Sequence, residues 1–509
     1  MNTVSHIKEG SDPILLVGGT DPSGAGLQVD WLVTHALGVE ASSIVTAVTS
    51  QNANRVFDCG VLASKQFKLQ LEAIETQTFS AIKIGMLGNE KIIKELTRFL
   101  VFQQERGIEQ AIIIDPVLTT SSGGELLNNE GITCLMTDLL PLSTLITPNL
   151  DELARLTKLP VSNSAEIQIA AEKLLTWGAK SVLVKGGHAS DKTFSTDLFV
   201  SQSSCFSLQG TRWQDKKNVR GTGCALATAI TTLLSKGYCL RDTIVLSKTI
   251  LSQGIRCAQE IGGQWKLQLK HSKYNDLVDI ELQDFPVLHT SNDKCSQPRF
   301  LSCGSKSLGI YPVVDSVEWI KKLVPLGIET IQLRIKTDQS GGITAVDIEQ
   351  QIKEAITICS QYKVRLFIND HWELATKLGA YGIHLGQEDL EKLKKKDLQR
   401  ISDAKCRLGL STHSFFEVAR AHALKPSYIA LGPIFATTSK DMPWIPQGVS
   451  AVKMWVDLLG DTYPLVAIGG INIERAQALK SVGVGSVAMI TAITEADDYE
   501  QATKELLSL

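Results

Sequence analysis

The C-terminal half of the chain repeats one pattern eight times, a short apolar run followed by a mostly amphipathic stretch of helical length. Such runs are typical of parallel strands whose two faces are covered by helices. An open doubly wound sheet usually stops at about five or six strands, whereas eight such units in about 200 residues match a closed (β/α)8 barrel. We therefore predict a TIM barrel with strands at residues 310–314, 330–333, 365–368, 382–385, 407–410, 428–431, 465–468 and 486–490.

Polar residues gather at the C-terminal ends of these predicted strands, where the active sites of such barrels are built. The cations Arg334, Lys336 and Lys440 indicate an anionic, phosphorylated substrate. Asp370 and Asp389 are candidate ligands of a Mg²⁺ ion that bridges to this substrate. Neither carboxylate has a sequence-local cation positioned to neutralise it, so we expect the metal to relieve their mutual repulsion.

The N-terminal half alternates apolar strands with helices, which predicts a mainly parallel, doubly wound α/β sheet. Ligands bind such sheets at the carboxyl ends of the strands. The predicted strands lie at residues 14–17, 44–48, 81–84, 111–114, 144–146 and 181–184. The polar residues near their ends are Asp21, Gln51, Asn52, Lys83, Asp115, Asn149, Glu152 and Lys185.

A run of small residues after Arg220 is the sharpest local signal in this half. Gly221 and Gly223 precede a helix, so consecutive amides are free to point at an anion from the helix N-terminus. Cys224 falls in the first turn, where we expect the helix dipole to lower the pKa of the thiol. The tetrapeptide alone fits a structural cysteine at a closely packed helix start equally well.

Residues 285–308 separate the two halves. This stretch contains two prolines, is rich in Ser, Asn, Asp and Gly, and has no apolar period. A chain of 509 residues is too long for one hydrophobic core. We predict a first domain at residues 1–285, a linker at 286–308 and a barrel domain at 309–509.

Composition is ordinary for a soluble globular protein, with 43% hydrophobic and 21% charged residues. The net charge of −3 favours neither nucleic acid nor an anionic membrane as a partner. We find neither a secretory signal nor a membrane-spanning stretch. The ten cysteines include no Cys-x-x-Cys pair, which argues against zinc and disulfides and indicates a cytoplasmic protein. His384 and His413 lack zinc-site spacing, and we expect structural or supporting roles for them.

Several motifs in the N-terminal half, taken together, resemble the hydroxymethylpyrimidine/phosphomethylpyrimidine kinases of thiamine biosynthesis, which are ribokinase-like. The first loop has one glycine fewer than is common in that family, and Arg220 replaces a frequent histidine. The motifs are Asp-Pro-Ser-Gly-Ala-Gly at 21–26, Thr-Ser-Gln-Asn at 49–52, Lys-Ile-Gly-Met-Leu at 83–87, Asp-Pro-Val at 115–117, Thr-Pro-Asn-Leu-Asp-Glu at 147–152, Val-Lys-Gly-Gly-His at 184–188 and Gly-Thr-Gly-Cys at 221–224.

The kinase resemblance implies a role for each matching residue. Gln51 would bind the pyrimidine ring, with Gly19 and Asp21 near its hydroxymethyl group. Asn149 and Glu152 would position Mg²⁺, and Lys185 would lie near the phosphates of ATP. The amides of Gly221 and Gly223 would hold the transferred phosphoryl group. Cys224 stands where related sugar kinases carry an aspartate base.

Residues 309–493 resemble thiamine phosphate synthase. The resemblance rests on Gln-Leu-Arg-x-Lys at 332–336, Asn-Asp at 369–370, His-Leu-Gly-Gln-Glu-Asp-Leu at 384–390, Leu-Ser-Thr-His at 410–413, the loop at 431–440 and Ala-Ile-Gly-Gly-Ile at 467–471. It implies that Asp370 and Asp389 bind Mg²⁺. The residues implied for the pyrimidine diphosphate are Gln332, Leu333, Arg334, Ile335, Lys336, Asn369, Ser411 and Lys440. Those implied for the thiazole phosphate are Thr437, Thr438, Ser439, Gly470, Ile490 and Thr491.

Together the resemblances imply one bifunctional enzyme. It would phosphorylate 4-amino-5-hydroxymethyl-2-methylpyrimidine twice with ATP and then couple the diphosphate to the thiazole phosphate. Its partners would be small molecules, and association of copies through the kinase domain is compatible with the sequence. A pyridoxal-type kinase joined to another phosphate-binding barrel is one alternative. The other is a catalytically dead sensor of thiamine precursors, although Lys185, Cys224 and Lys440 argue against it.

Overall fold

The computed structural model describes residue 5 and residues 12–52, 55–119, 124–187, 191–216, 218–270, 279–290, 298–335, 344–437 and 444–509. The chain divides into two compact units, Met1–Asp293 and Lys294–Leu509. No helix among the described residues is both long enough and apolar enough to cross a membrane.

The N-terminal unit is built on one ten-stranded sheet, which confirms the predicted doubly wound α/β fold. Its strand order is β12-β9-β8-β7-β6-β5-β4-β1-β2-β3, parallel from β7 to β2 and antiparallel at both edges. A short hairpin of β10 and β11 lies outside it. The strands are β1 (Ile14–Thr20), β2 (Ala41–Gln51), β3 (Val56–Val61), β4 (Ala81–Ile84), β5 (Ala111–Ile114), β6 (Leu145–Ile146), β7 (Ser181–Val184), β8 (Phe194–Ser201), β9 (Cys205–Thr211), β10 (Gln259–Ile261), β11 (Gln264–Lys266) and β12 (Val287–His289).

Helices cover this sheet because its central strands are apolar on both faces; β4, for example, is buried at every residue. A π-helical turn (Leu135–Leu139) and two 3₁₀ turns (Leu140–Leu142 and Leu282–Asp284) accompany them. The helices are α1 (Leu27–Ala36), α2 (Ser64–Ala73), α3 (Glu90–Glu105), α4 (Asn129–Cys134), α5 (Leu150–Thr157), α6 (Ser164–Thr176), α7 (Thr222–Ser235) and α8 (Leu240–Arg256).

Strand register places one row of loops at the carboxyl edge of the parallel strands. Val17 is level with Ile84, Ile84 with Ile114, and Ile114 with Ile146. A further bridge pairs Asn149 with Lys185. The polar residues that follow these strands therefore meet at one edge of the sheet.

Part of the predicted linker is structured. Val287–His289 forms β12, which pairs antiparallel with β9 at the sheet edge. At the other end of the stretch, Cys303 and Leu308 are buried in the barrel unit. The sequence pattern missed β12 because three residues are too short to show a period of two. The boundaries at 285 and 309 stay a prediction.

The C-terminal unit is a closed barrel of eight parallel strands, as predicted. Side chains fill its interior, where the ring of Phe367 lies 5.0 Å from the ring of Tyr428. Glycines make room for these rings, since a Cβ on Gly409 would lie 2.1 Å from Tyr428 Cζ. The strands are β13 (Gly309–Val314), β14 (Thr330–Leu333), β15 (Arg365–Asn369), β16 (Gly382–Leu385), β17 (Arg407–Thr412), β18 (Tyr428–Leu431), β19 (Leu465–Ile468) and β20 (Ser486–Met489).

Helices surround the barrel, and a 3₁₀ turn (Val324–Leu326) follows the first of them. They are α9 (Val317–Leu323), α10 (Ala345–Gln361), α11 (Trp372–Leu378), α12 (Gln387–Lys392), α13 (Lys395–Asp403), α14 (Phe415–Leu424), α15 (Gly448–Leu459), α16 (Ile473–Ser481), α17 (Thr491–Thr494) and α18 (Tyr499–Leu507).

Candidate active sites

A buried charge cluster lies at the carboxyl edge of the N-terminal sheet. Lys185 Nζ lies 2.6 Å from Asp115 Oδ1 and 3.8 Å from Glu152 Oε2. Burial alone would lower the pKa of Lys185, but the two carboxylates outweigh it and raise the pKa. Burial would likewise raise the pKa of Asp115, but Lys185 and Lys83 outweigh it and lower the pKa. Lys185 is therefore an ammonium and Asp115 a carboxylate at neutral pH.

Asn149 and Glu152 form a capping box at the start of α5. Asn149 Oδ1 accepts a hydrogen bond from Glu152 N at 2.8 Å, and Glu152 Oε2 accepts one from Asn149 N at 2.7 Å. Burial raises the pKa of Glu152 to about 7, against the attraction of Lys185. The cap orients the Glu152 carboxyl group toward Lys185. The Glu152 carboxylate and the Asn149 amide offer oxygen ligands of the kind that Mg²⁺ prefers, and one oxygen of each is already engaged in the cap.

The glycine-rich turn before α7 meets this cluster. Gly221 has a φ of 77°, a left-handed conformation that suits glycine. A Cβ on Gly223 would lie 3.2 Å from Lys185 Nζ and 3.8 Å from Asp115 Oδ2. The start of α7 thus lies directly beside a buried cation. The structure brings together Lys185, Glu152, Gly223 and Cys224 with Asp115, which the sequence analysis placed at the same edge of the sheet without assigning it a role.

Cys224 differs from the sequence expectation in its protonation. Burial, with help from the Asp115 and Asp30 carboxylates, raises the pKa of the thiol to about 12, although Lys83 and Lys185 oppose the shift. The expectation that the helix dipole would lower this pKa is wrong, because the partial charge of a helix end is weaker than desolvation plus two carboxylates. The thiol is protonated and donates a hydrogen bond to Asp115.

The predicted pyrimidine side of the site is arranged by a second set of contacts. Arg220 Nη2 lies 3.1 Å from Asp21 Oδ2, and Ser23 Oγ donates to Asp21 Oδ1. Gln51 Nε2 donates to Thr49 Oγ1 at 3.3 Å. The turn at Gly221 reaches the first loop too, since a Cβ there would lie 3.2 Å from Gly24 O.

Gly19 is held close to its surroundings. A Cβ on Gly19 would lie 2.8 Å from Met86 Sδ. A side chain at position 19 would therefore require the Met86 side chain to move. His188, for which the sequence indicated only a structural role, lies outside the described residues.

Two buried ion pairs around this site escaped the sequence analysis. Lys83 Nζ lies 2.7 Å from Asp30 Oδ2, and both side chains are fully buried. Lys248 Nζ lies 2.7 Å from Asp197 Oδ2, and Asp197 Oδ1 accepts the N–H of Gly186 at 2.8 Å. The second pair fixes the backbone next to Lys185. The only signal in the sequence was a charged residue inside an apolar run, as for Lys83 in β4.

In the barrel unit, Gln332 and Asn369 meet at the ends of β14 and β15. Gln332 Nε2 donates to Asn369 Oδ1 at 2.8 Å, and both side chains are buried. Arg334 follows β14, and its backbone N–H donates to Val314 O at 2.7 Å. The side chains of Leu333 and Ile335 are buried in the barrel.

Ser411 lies at the end of β17 beside His384. His384 Nε2 is 2.8 Å from Ser411 Oγ, and His384 Nδ1 is 2.7 Å from Tyr428 Oη. Burial, with Arg334 and His413 nearby, lowers the pKa of His384 to about 3, so the imidazole is neutral. Gln387 Nε2 donates to Ser411 O at 2.6 Å. His384 thus supports Ser411, as the sequence analysis expected of it.

The two aspartates predicted to bind metal follow neighbouring strands. Asp370 has a φ of 62° and its N–H donates to His384 O at 3.1 Å. Asp389 Oδ1 lies 3.0 Å from Lys392 Nζ. The hydrogen bond with Asp389 raises the pKa of Lys392, and Asp370 adds to the shift. The expectation that no sequence-local cation faces these carboxylates is therefore wrong, because one helical turn brings residue 392 back to residue 389.

Both carboxylates act on Lys392, and carboxylate oxygens are the ligands that Mg²⁺ prefers. The donor set therefore fits a magnesium ion held partly by substrate oxygens. The described residues contain no group of three or more His, Cys, Asp or Glu side chains arranged to hold a metal alone.

The predicted thiazole phosphate site is described in part. Gly469 and Gly470 have φ values of 106° and 62°, and Phe435 N donates to Gly469 O at 3.1 Å. A Cβ on Gly470 would lie 2.3 Å from Ala436 O, so the two loops are in close contact. Ile490 and Thr491 begin α17, and Thr437 is half-exposed. Lys336, Thr438, Ser439 and Lys440 lie outside the described residues.

Two family models match the chain. The model described as phosphomethylpyrimidine kinase matches residues 21–268, and the model described as thiamine monophosphate synthase matches residues 310–493. The thiamine-phosphate synthase of Serratia proteamaculans (strain 568) is 54% identical over 202 residues, which are 40% of this chain and 91% of that protein. The chain belongs to the thiamine-phosphate synthase family.

A second synthase, from Proteus mirabilis (strain HI4320), is 52% identical over 204 residues, which are 40% of this chain and 91% of that protein. The chain is also similar to solved kinases. A phosphomethylpyrimidine kinase from Clostridium difficile 630 shares 32% identity, covering 48% of this chain and 99% of that one, with a TM-score of 0.42. A pyridoxal kinase from Staphylococcus aureus in complex with ADP shares 25% identity, covering 55% of this chain and 99% of that one, with a TM-score of 0.48.

Both resemblances inferred from the motifs are confirmed. The chain joins a unit that the phosphomethylpyrimidine kinase model matches to a thiamine-phosphate synthase unit with a TIM-barrel fold. The Lys185 cluster lies within the range of the kinase model, and the His384–Ser411 pair within the range of the synthase model.

Proposed function

We propose that the kinase unit phosphorylates 4-amino-5-hydroxymethyl-2-methylpyrimidine and its monophosphate with ATP, and that the synthase unit consumes the resulting diphosphate. The observation that carries the proposal is the pairing of a kinase unit and a synthase unit in one chain. The product of the first is the substrate of the second, so each assignment supports the other. The partners are small molecules, and we expect the enzyme in the cytoplasm.

In the kinase step, the substrate hydroxyl oxygen bonds to the γ-phosphorus of ATP as the bond to the bridging oxygen breaks and ADP leaves. Phosphoryl transfer of this kind depends on positioned cations and N–H donors. Lys185 supplies a buried ammonium beside Gly223, and the amides of Gly221 and Gly223 are the candidate N–H donors. Mg²⁺, which Glu152 would help to hold, neutralises phosphate charge when bound.

Cys224 is suited to orient the substrate hydroxyl rather than to remove its proton as a preformed thiolate. Its own proton is directed at Asp115, so a sulfur lone pair is available to the hydroxyl. As the phosphoryl group transfers, the hydroxyl proton passes to sulfur and the thiol proton to Asp115. This relay requires Cys224 to lie between the substrate hydroxyl and Asp115. The buried hydrogen bond from Cys224 to Asp115 supports the second half of this order.

In the synthase step, the bond between the pyrimidine methylene carbon and the diphosphate oxygen breaks. Pyrophosphate leaves, and the thiazole nitrogen bonds to the pyrimidine cation, which gives thiamine phosphate. Groups that stabilise the growing charge on the departing diphosphate accelerate this step. Arg334, Lys336, Lys440 and the Ser411 hydroxyl are the candidates. Asp370 and Asp389 would hold Mg²⁺, which supplies further positive charge to the diphosphate when bound.

One assay separates this proposal from its alternatives. The full chain is supplied with the pyrimidine alcohol, ATP, Mg²⁺ and the thiazole phosphate, and thiamine phosphate and pyrophosphate are measured. Parallel reactions replace the pyrimidine alcohol with pyridoxal, or omit ATP and supply the pyrimidine diphosphate. A pyridoxal kinase would consume ATP only with pyridoxal, and a sensor would bind the pyrimidine without turnover. Either result would overturn the proposal.

A further inference from the structure

A chain of hydrogen bonds crosses the interior of the barrel and ends at Ser411. Tyr311 Oη lies 2.9 Å from Tyr428 Oη, which lies 2.7 Å from His384 Nδ1. His384 Nε2 lies 2.8 Å from Ser411 Oγ. Tyr311 and Tyr428 are fully buried, and Tyr311 has no other hydrogen-bond partner among the described residues. Four side chains from four strands are thus linked in one line.

The buried end of this line determines the direction of every bond in it. If His384 carried its proton on Nδ1, it would donate to Tyr428 Oη. Either Tyr428 would then donate to Tyr311 and leave the Tyr311 proton unpaired, or Tyr311 would donate and leave the Tyr428 proton unpaired. A buried unpaired hydroxyl proton is strongly disfavoured.

The opposite direction satisfies every buried donor. Tyr311 donates to Tyr428, Tyr428 donates to His384 Nδ1, and the proton on Nε2 is donated to Ser411 Oγ. A doubly protonated ring would also donate from Nδ1 to Tyr428 Oη and would leave the same tyrosine proton unpaired. Ser411 Oγ then accepts from His384, so its own proton is free for another acceptor. Among the described residues, Ser411 Oγ has no hydrogen-bond partner besides His384.

We propose that Tyr428 is a positioning residue that holds His384 in its Nε2–H tautomer and thereby keeps the Ser411 hydroxyl as a hydrogen-bond donor toward the substrate diphosphate. The proposal rests on the proposed synthase function. A serine whose proton was used by His384 would present only lone pairs to an anion and would repel it. The charge of Arg334, a candidate ligand of the same diphosphate, acts on His384.

The residues packed around Tyr428 leave space for its ring and hold it in place. A Cβ on Gly409 would lie 2.5 Å from the Tyr428 hydroxyl oxygen, so only glycine fits on the neighbouring strand. The imidazole of His384 stacks on the Tyr428 ring with an interplanar angle of 18°. The ring of Phe367 packs edge-on against the Tyr428 ring. These contacts restrict rotation of both rings, so a single arrangement of the bonds persists.

The first test reads the tautomer directly. The full chain is labelled with ¹⁵N-histidine, and the His384 signals are assigned by their loss in His384→Gln. We expect a pyridine-like shift for Nδ1 and a pyrrole-like shift for Nε2 at every pH between about 6 and 8. In Tyr428→Phe, either tautomer leaves Nδ1 unpaired, so we expect a mixture. A parent spectrum with the proton on Nδ1, or with both nitrogens protonated, would overturn the proposal.

The second test measures synthase turnover with the pyrimidine diphosphate supplied directly. Ser411→Ala should lower kcat by roughly 10²–10³-fold, the usual loss for one donor to a developing anion. Tyr428→Phe should lower kcat in proportion to the fraction of His384 that its spectrum shows protonated on Nδ1, and should leave KM for the thiazole phosphate unchanged. Tyr311→Phe is the matched control. It still allows Tyr428 to donate to His384, so kcat should stay within about twofold of the parent.

A double variant separates positioning from packing. If Tyr428 acts through Ser411, Tyr428→Phe should have no further effect on kcat in a Ser411→Ala background. If the two substitutions lower kcat additively, or if Tyr311→Phe and Tyr428→Phe lower kcat equally, the proposal is wrong. The tautomer spectrum does not depend on turnover. A parent chain with the expected spectrum but no synthase activity would therefore refute the proposed function and leave the tautomer assignment standing.

Discussion

Lys185 and Asp115 lie 70 positions apart in the sequence, and their charged groups meet at 2.6 Å beside the first turn of α7. Asp115 accepts the thiol proton of Cys224 as well. One carboxylate therefore joins the cation expected near the phosphates to the residue expected near the substrate hydroxyl. Asp115 becomes a candidate for a part in proton transfer, a role that the sequence analysis did not give it.

The first prediction tests this connection. Cys224→Ala should lower the kinase rate by roughly 10²–10⁴-fold, the usual contribution of a positioned acid–base group. Asp115→Asn should lower it by a similar factor, because the amide cannot take up a proton from the thiol. ATP consumption with the pyrimidine alcohol is the measurement, and synthase turnover with supplied diphosphate is the control. A near-normal kinase rate in Cys224→Ala would reduce Cys224 to a packing role.

A second prediction concerns pH and the buried carboxyl group of Glu152. Its pKa is raised from 4.5 to about 7 in the folded chain. Between these values the unfolded chain has released this proton and the folded chain retains it, so the contribution of Glu152 to the free energy of unfolding falls as pH rises. The fall amounts to roughly 3 kcal/mol between about pH 4.5 and pH 7.

Glu152→Gln keeps an acceptor for Asn149 N but cannot titrate. Relative to the parent, its free energy of unfolding should therefore rise by roughly 3 kcal/mol across the same pH range. Urea unfolding at pH 5, 6 and 7 measures the difference, and the barrel is identical in both proteins. A difference that does not change with pH would show that Glu152 titrates normally in the folded chain.

The third prediction concerns where the two units can be separated. Fragments 1–293 and 294–509 should each fold and keep their own activity. A fragment ending at 284 should melt several degrees lower than 1–293, because it loses β12 and the buried side chains of Phe285 and Leu288. Thermal melts followed by circular dichroism compare the two fragments. Equal melting temperatures would mean that β12 contributes nothing to the sheet.

A fourth prediction concerns magnesium at the barrel mouth. Asp370→Asn and Asp389→Asn should each raise the Mg²⁺ concentration needed for half-maximal synthase turnover, because each removes a charged oxygen ligand. Lys392→Met serves as the matched control. It removes the cation that competes for Asp389 and should lower that concentration slightly, since Lys392 is exposed and its charge is screened.

The synthase rate is measured at increasing Mg²⁺ concentration with the pyrimidine diphosphate supplied. This titration gives the Mg²⁺ concentration for half-maximal turnover of each of the three variants. The kinase reaction of the same proteins reports whether the rest of the chain is intact. If both aspartate variants retain the metal dependence of the parent, these carboxylates are structural and the metal site lies elsewhere.

The parallel strands of both units were predicted from the sequence because a strand covered on both faces is apolar along its whole length. Strands such as β4, β16 and β18 have the predicted bounds. The antiparallel strands β3, β8, β9 and β12 were missed, because most of their residues are exposed or half-buried and their sequences are mixed in polarity. The grouping of polar residues after the strands was also predicted from the sequence, because the carboxyl ends of parallel strands meet at the same edge of a sheet.

Protonation states and partners were decided only by the tertiary structure. The sequence places Cys224 at a helix start, which alone would lower the pKa of its thiol, but desolvation and the two carboxylates raise that pKa instead. The sequence likewise places His384 and Tyr428 on different strands without indicating that they touch. Desolvation and contact between residues far apart in the chain depend on how the strands are packed, and no local pattern of residue types encodes that.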